Sequence, residues 1–144
     1  MKISTKGRYA LSFMMDLLIN SKDNPIRLKD ISQRQDISEK YLEQIAISLV
    51  KGGIIGSVRG SNGGYFLKRD AQNYTVGEIL RIMEGDLAVA PCMEKNAVLC
   101  KRKNICVNTI LWGKINDAVN SVIDNITLED MYKWQNKDIE DNNI

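Results

Sequence analysis

Apolar residues recur at helical spacing through most of the chain. Tyr9, Ala10, Phe13, Met14, Leu17 and Leu18 form one stripe behind Ser4 or Thr5, either of which can cap a first helix. Asp23-Asn24-Pro25 breaks that pattern. A second helix is predicted roughly over Leu28 to Arg34, with Leu28 and Ile31 inward. Gln35-Asp36-Ile37-Ser38 reads as a tight polar turn with one buried anchor. Ser38 caps a third helix, Glu39 to about Lys51, which places Leu42, Ile45, Ala46 and Leu49 on one face. Gly52-Gly53 closes it. Two short helices joined by a brief turn form the helix-turn-helix plan.

The period changes at Ile54. Two short runs, Ile54 to Val58 and Tyr65 to Leu67, flank the tip Arg59-Gly60-Ser61-Asn62-Gly63-Gly64 and predict a hairpin. Three helices followed by two strands describe a winged helix-turn-helix domain over residues 1–84. Its last helix opens on a Thr75/Glu78 capping box and ends near Glu84-Gly85. A loop over 85–107 carries all three cysteines. The longest helical pattern follows, about Thr109 to Ile126. Ile115, Val119, Val122 and Ile126 step by four, three and four along it, a heptad seam suited to pairing with a second helix. A short helix capped by Thr127 is predicted to end at Trp134, so 108–134 forms a dimerisation unit. The polar tail, 135–144, reads as disordered. The expected fold is mostly α with one small β-hairpin: a winged helix-turn-helix domain plus a long dimerisation helix.

Charge sharpens this division. Residues 1–72 carry 12 Lys and Arg against 7 Asp and Glu, whereas 73–144 carry 8 against 11, so a net +5 half precedes a net −3 half. The basic half holds the hairpin and the acidic half the cysteines, which suggests two jobs. No apolar run approaches the roughly 20 residues that span a bilayer. The start, MKISTKGRYA, lacks the apolar stretch and cleavage site of a signal peptide. A cytoplasmic protein is therefore expected, with reduced thiols suited to metal or redox work.

The hairpin tip suits close approach to DNA. Its glycines permit sharp turning, and Arg59 can enter a narrow minor groove. The helix before it can lie in the major groove with Ser38, Lys40, Tyr41, Glu43 and Gln44 at its start; Glu43 can accept from cytosine and Gln44 can read adenine. Lys2, Lys6, Arg8 and Lys51 are candidates for phosphate contacts. Ser61, Asn62 and Gly63 complete the candidate DNA-binding set. A helix-turn-helix also occurs as a protein-binding module, so an adaptor without DNA is the rival from another class. An enzyme is not expected: the chain has no histidine and no nucleotide-binding fingerprint.

Cys92-x7-Cys100-x5-Cys106 gathers three soft ligands within 15 residues. The spacing matches neither zinc-finger pairs nor ferredoxin runs, which leaves an iron–sulfur cluster, zinc and free or switching thiols all open. Lys95, Lys101, Arg102 and Lys103 are expected to lower thiol pKa and offset an anionic cluster.

Five segments, MKISTKGRYAL, ISEKYLEQI, SVRGSNGGYFL, TVGEIL and NITLEDM, together resemble the Rrf family of winged-helix transcription regulators from Met1 to about Trp134. The resemblance implies a homodimer on a palindromic double-stranded operator, with the long helix crossing its partner. It implies that Arg59 is the minor-groove residue and that Tyr41, Glu43 and Gln44 belong to the reading helix. It also implies that Cys92, Cys100 and Cys106 hold a [2Fe-2S] or [4Fe-4S] cluster, as in the cluster-binding branch; the cysteine-metabolism branch lacks this trio. The chain departs from the family in four places: the first cysteine interval, Cys92 to Cys100, is longer than in an iron–sulfur regulator of the family, and three residues differ. Lys40 stands where an iron–sulfur regulator has serine, Thr109 where it has histidine, and Arg8 where nitric-oxide sensors have aspartate. The fourth ligand is therefore unassigned, with Glu94, Asp86, an exogenous thiol or water open. The alternative within the family is a cluster-free regulator that uses zinc, a thiol switch or a regulatory partner protein.

Overall fold

The computed structural model describes residues 1–142. Helices α1 (Thr5–Asn20), α2 (Leu28–Gln35) and α3 (Glu39–Lys51) precede a hairpin of β1 (Ile55–Val58) and β2 (Gly64–Leu67). Helices α4 (Val76–Glu84), α5 (Asn108–Asn125) and α6 (Leu128–Asn142) follow. Short 3-10 turns occupy Ala71–Asn73 and Pro91–Met93. The mostly helical winged fold expected from the sequence is the fold observed.

Local chemistry sets the boundaries. Ser4 is the N-cap of α1: its Oγ accepts from the Gly7 amide at 3.2 Å and donates to Glu84 Oε1 at 2.6 Å, joining the start of α1 to the end of α4. Asp36 ends α2 in the left-handed region at φ 52°, where an Asp is better tolerated than most residues. Ser38 caps α3 by accepting from the Tyr41 amide at 3.3 Å, and Thr75 caps α4 from Glu78 at 3.1 Å. The apolar faces of α1, α2 and α3 meet through Phe13, Leu17, Ile31, Leu42, Ile45 and Leu49, all inaccessible to solvent. Asp16 is the buried charge in this region. Arg34 Nε and Nη2 reach its carboxylate at 3.0 and 2.8 Å, and Gln35 Nε2 at 3.0 Å, so α1 and α2 share a satisfied ion pair.

The hairpin pairs Ile55 with Leu67 and Val58 with Gly64. A third segment joins it: Ile26 exchanges two backbone hydrogen bonds with Tyr65, each 2.8 Å. Beneath the hairpin, Tyr74 is fully buried. Its hydroxyl donates to the Ile54 carbonyl at 2.8 Å and accepts from the Lys68 and Arg69 amides at 2.8 and 2.9 Å. Its own carbonyl accepts from the Leu128 amide at 3.0 Å.

Helices α5 and α6 complete the fold. The inward residue of α5 is Ile123, packed with Leu80 and Leu87 in a small second core to which Val119 contributes. Of the heptad positions, Ile115 and Val122 are exposed and Ile126 is half-buried. Helix α6 continues to Asn142, where a disordered tail from Gln135 was expected. Thr127 and Asp130 form a capping box that starts it, Lys133 pairs with Glu129 one turn on, and neither Gly nor Pro follows to stop it. The expectation for residues 143–144 lies outside the described residues.

Replacing Tyr74 by Phe preserves shape but strands one carbonyl and two amides. The expected loss is about 2 kcal/mol in urea unfolding at unchanged m-value. A loss within experimental error would mean that the hydroxyl bonds do not hold the hairpin base.

Candidate nucleic-acid interface and cysteine loop

An open cleft of about 750 Å³ separates α3 from the hairpin. Glu43 and Lys51 line it from α3, Arg59 and Gly63 from the hairpin, and Arg27 from the segment before α2. Lys40, Lys51 and Arg59 are exposed and have no ion-pair partner among the described residues, which leaves their charge available to an anion.

The remaining candidates occupy distinct places. Ser38, Lys40, Glu43 and Gln44 are exposed on the first turns of α3 and at its cap, as base reading from an N-terminal helix turn requires. Tyr41 is half-buried and meets Tyr9 edge to face at 5.4 Å, so its ring also docks α3 onto α1. Ser61 and Asn62 are exposed at the tip. Gly63 is buried, and its amide bonds the Gly60 carbonyl at 3.0 Å, so it closes the turn. Lys2 is exposed before α1, and Lys6 is half-buried in its first turn. Arg8 donates to Thr5 Oγ1 at 2.9 Å and lines a groove with Met131 and Gln135 of α6; it does not line the α3–hairpin cleft.

At the other end of the chain, Cys92, Cys100 and Cys106 line one cavity of about 120 Å³, together with Val98, Thr109 and Trp112. Cys92 and Cys100 are exposed, and Cys106 is half-buried. Among the described residues, no three His, Cys, Asp or Glu side chains stand close enough to hold a metal ion. The Cys106 thiol is pushed below its ordinary pKa, chiefly by the Thr109 hydroxyl, then by the Thr109 and Asn108 amides and the charge of Arg102. The lysines expected to act on it are not among these causes. Thr109 carries no obvious sequence signal for this role, since its effect follows from its place in the first turn of α5.

Asp86 is otherwise engaged. Its two carboxylate oxygens accept from the Ala88 and Lys95 amides, each at 2.9 Å, folding the loop back on itself. The Lys95 bond, then the Ala88 bond, holds this carboxyl below the usual range. Arg81 of α4 reaches α5 through Asp124 at 2.5 Å and Asn120 at 2.8 Å, linking the loop's two flanking helices.

A helix-turn-helix with an adjoining hairpin, and an open cleft carrying unpaired cations between them, are the architecture of a winged helix-turn-helix transcription regulator. Residues 3–134 match the Rrf2 family, described as an iron-dependent transcriptional regulator, and the chain belongs to that family. It is 38% identical over 135 residues to the HTH-type transcriptional regulator IscR of Yersinia pseudotuberculosis, covering 94% of this chain and 81% of the relative. The IscR of Escherichia coli O1:K1 is also 38% identical, over 94% of this chain and 82% of its own. Among solved structures, CymR, the global cysteine regulator of B. subtilis, is 37% identical with a TM-score of 0.79, covering 93% of this chain and 98% of its own. T. potens IscR is 38% identical with a TM-score of 0.74, covering 92% of this chain and 87% of its own.

Two glycines report how tightly the hairpin is built. A Cβ on Gly64 would collide with the Ile26 backbone, whereas one on Gly60 meets only open space at φ +107°. Gly64→Ala is expected to cost about 1–3 kcal/mol in denaturant unfolding. Gly60→Ala should cost less, from backbone strain of about 1 kcal/mol. The reverse order would show that the Ile26 segment yields.

Proposed function

We propose that this regulator binds a palindromic double-stranded DNA operator as a homodimer, and that an iron–sulfur cluster on Cys92, Cys100 and Cys106 modulates the binding. The observation that carries the proposal is the shared cavity. Three thiols face one small space whose wall includes Thr109 and Trp112, on the first turns of α5. The donor set suits a cluster because all three ligands are soft thiolates. Asp86 is a poor fourth ligand while both its oxygens accept amides, and neither Asp86 nor Glu94 lines the cavity, which leaves an exogenous thiol or water for the remaining position. A cluster held there supplies sensitivity to oxidants and nitric oxide.

The chain's own residues relay the change. Cys106 lies two residues before α5, so ordering of the loop acts on that helix's first turns. Ile110, Leu111, Ile115 and Val122 are exposed on α5 and form its available apolar surface for a second copy. Together with the Val119 and Ile126 positions they give a surface whose repacking alters the spacing of two reading heads. Arg81, bonded to Asp124 and Asn120, joins this helix to the winged domain.

A cluster-free regulator is the second reading. The likeness to CymR favours it, as does the absence, among the described residues, of three donors gathered for a metal.

Anaerobic assay of iron, sulfide and zinc on one sample separates the readings. The first predicts matched iron and sulfide, visible charge-transfer bands and quenching of Trp112 emission, with the quenching absent in Trp112→Phe. Holo and apo binding curves that superimpose on one duplex would remove the regulatory role of the cluster. For DNA contact, Arg59→Ala is expected to weaken specific duplex binding by about 1–3 kcal/mol. Wild-type affinity should fall with salt at a slope of roughly −0.9 per phosphate neutralised. A flat salt profile would favour a protein-binding adaptor.

A further inference from the structure

The hairpin tip is held by a residue from outside the hairpin. Arg27 Nη2 donates to the Ser61 carbonyl at 2.6 Å, across 34 positions of sequence. Ser61 lies inside the turn that Gly63 closes by bonding the Gly60 carbonyl at 3.0 Å. The base from which Arg27 reaches is fixed on both sides. Ile26 immediately before it is paired to Tyr65 by two 2.8 Å hydrogen bonds, and Leu28 immediately after it begins α2. Gly64 is what lets that pairing come so close, since a side chain there would strike the Ile26 backbone. An arginine launched from a hydrogen-bonded segment loses little backbone freedom in reaching its acceptor, and its planar fork is pre-organised for it.

We propose that Arg27 is a positioning residue for DNA recognition: it pins the hairpin tip so that Arg59, two positions before Ser61, is presented to the minor groove in one orientation. This rests on the DNA-binding reading above. Arg27 also lines the α3–hairpin cleft beside Lys51 and Arg59, so a direct phosphate contact is the competing role that the experiment must exclude. A phosphate contact acts through charge and counterion release; a positioning residue acts through Arg59 and leaves the number of neutralised phosphates unchanged.

Two measurements on Arg27→Ala decide the matter. The first needs no DNA. Amide exchange at Gly63 and the adjoining tip should accelerate about threefold to tenfold, with core amides of α1 and the thermal midpoint unchanged. Unaltered tip exchange would overturn the clamp. The second uses a duplex selected by the wild-type protein from a random-sequence library, titrated at several salt concentrations. Arg27→Ala should bind it about threefold to tenfold more weakly at an unchanged salt slope, and adding Arg59→Ala to Arg27→Ala should cost less than Arg59→Ala costs in the wild type. A slope shallower by about one unit, with additive effects of the two substitutions, would make Arg27 a phosphate contact and overturn positioning. If the wild type selects no duplex, the DNA reading itself fails and the positioning role falls with it, while the exchange result still decides whether the clamp exists.

Discussion

One buried phenol holds the two halves of this protein in register. The Tyr74 hydroxyl bonds the chain entering the hairpin at Ile54 and the chain leaving it at Lys68 and Arg69, while the Tyr74 carbonyl receives the first amide of α6. Burial makes each of these bonds hard to replace, because no solvent reaches the ring to take over. Arg69 stacks 4.3 Å above the same ring and reaches Glu78 at 2.8 Å, extending the contact to α4. The base of the hairpin, the start of the C-terminal helices and the helix between them therefore share one fixed point.

Rigidity is unevenly distributed around that point. The winged domain is packed through fully buried side chains, and its one buried carboxylate is satisfied by three donors. The cysteine loop has little of this. Leu87 anchors its beginning, but Val98, Leu99, Ile105 and Val107 are between 75% and 91% exposed. A segment with few buried contacts reorders at small cost, which suits a sensing element, whereas a reading surface gains from being held still.

The contrast explains what could be read from sequence. Helices α1 to α4 were legible because each combines a repeating apolar face with a cap or a breaker, and Ser38 and Thr75 act as anticipated; α5, which has no side-chain cap, was legible from its apolar repeat alone. The hairpin was legible from its glycines. The pairing of Ile26 with Tyr65 was not, since a single-residue bridge has no period and lies beside a proline that reads as a break. Arg27 was missed for the same reason: its partner is a backbone carbonyl, which leaves no compositional trace. The full length of α6 was hidden by its polar composition, although its capping box was present in the sequence. In the cysteine loop, charge counting pointed to three lysines and Arg102; Arg102 does act on Cys106, but the larger causes are bonds from a threonine hydroxyl and two amides. Hydrogen-bond geometry at a helix start is short-ranged and directional, and net charge carries no information about it.

The isolated bridge between Ile26 and Tyr65 ties the two-stranded hairpin to a segment that runs directly into α2. The wing and the first helix of the helix-turn-helix therefore share a lever arm. On the proposed DNA-bound geometry, a tilt imposed on the tip by a groove of unusual width would be carried through those two hydrogen bonds to the helix that supports α3. Local DNA shape and base-edge contacts would then reach the protein as one torsional strain instead of two separate readings.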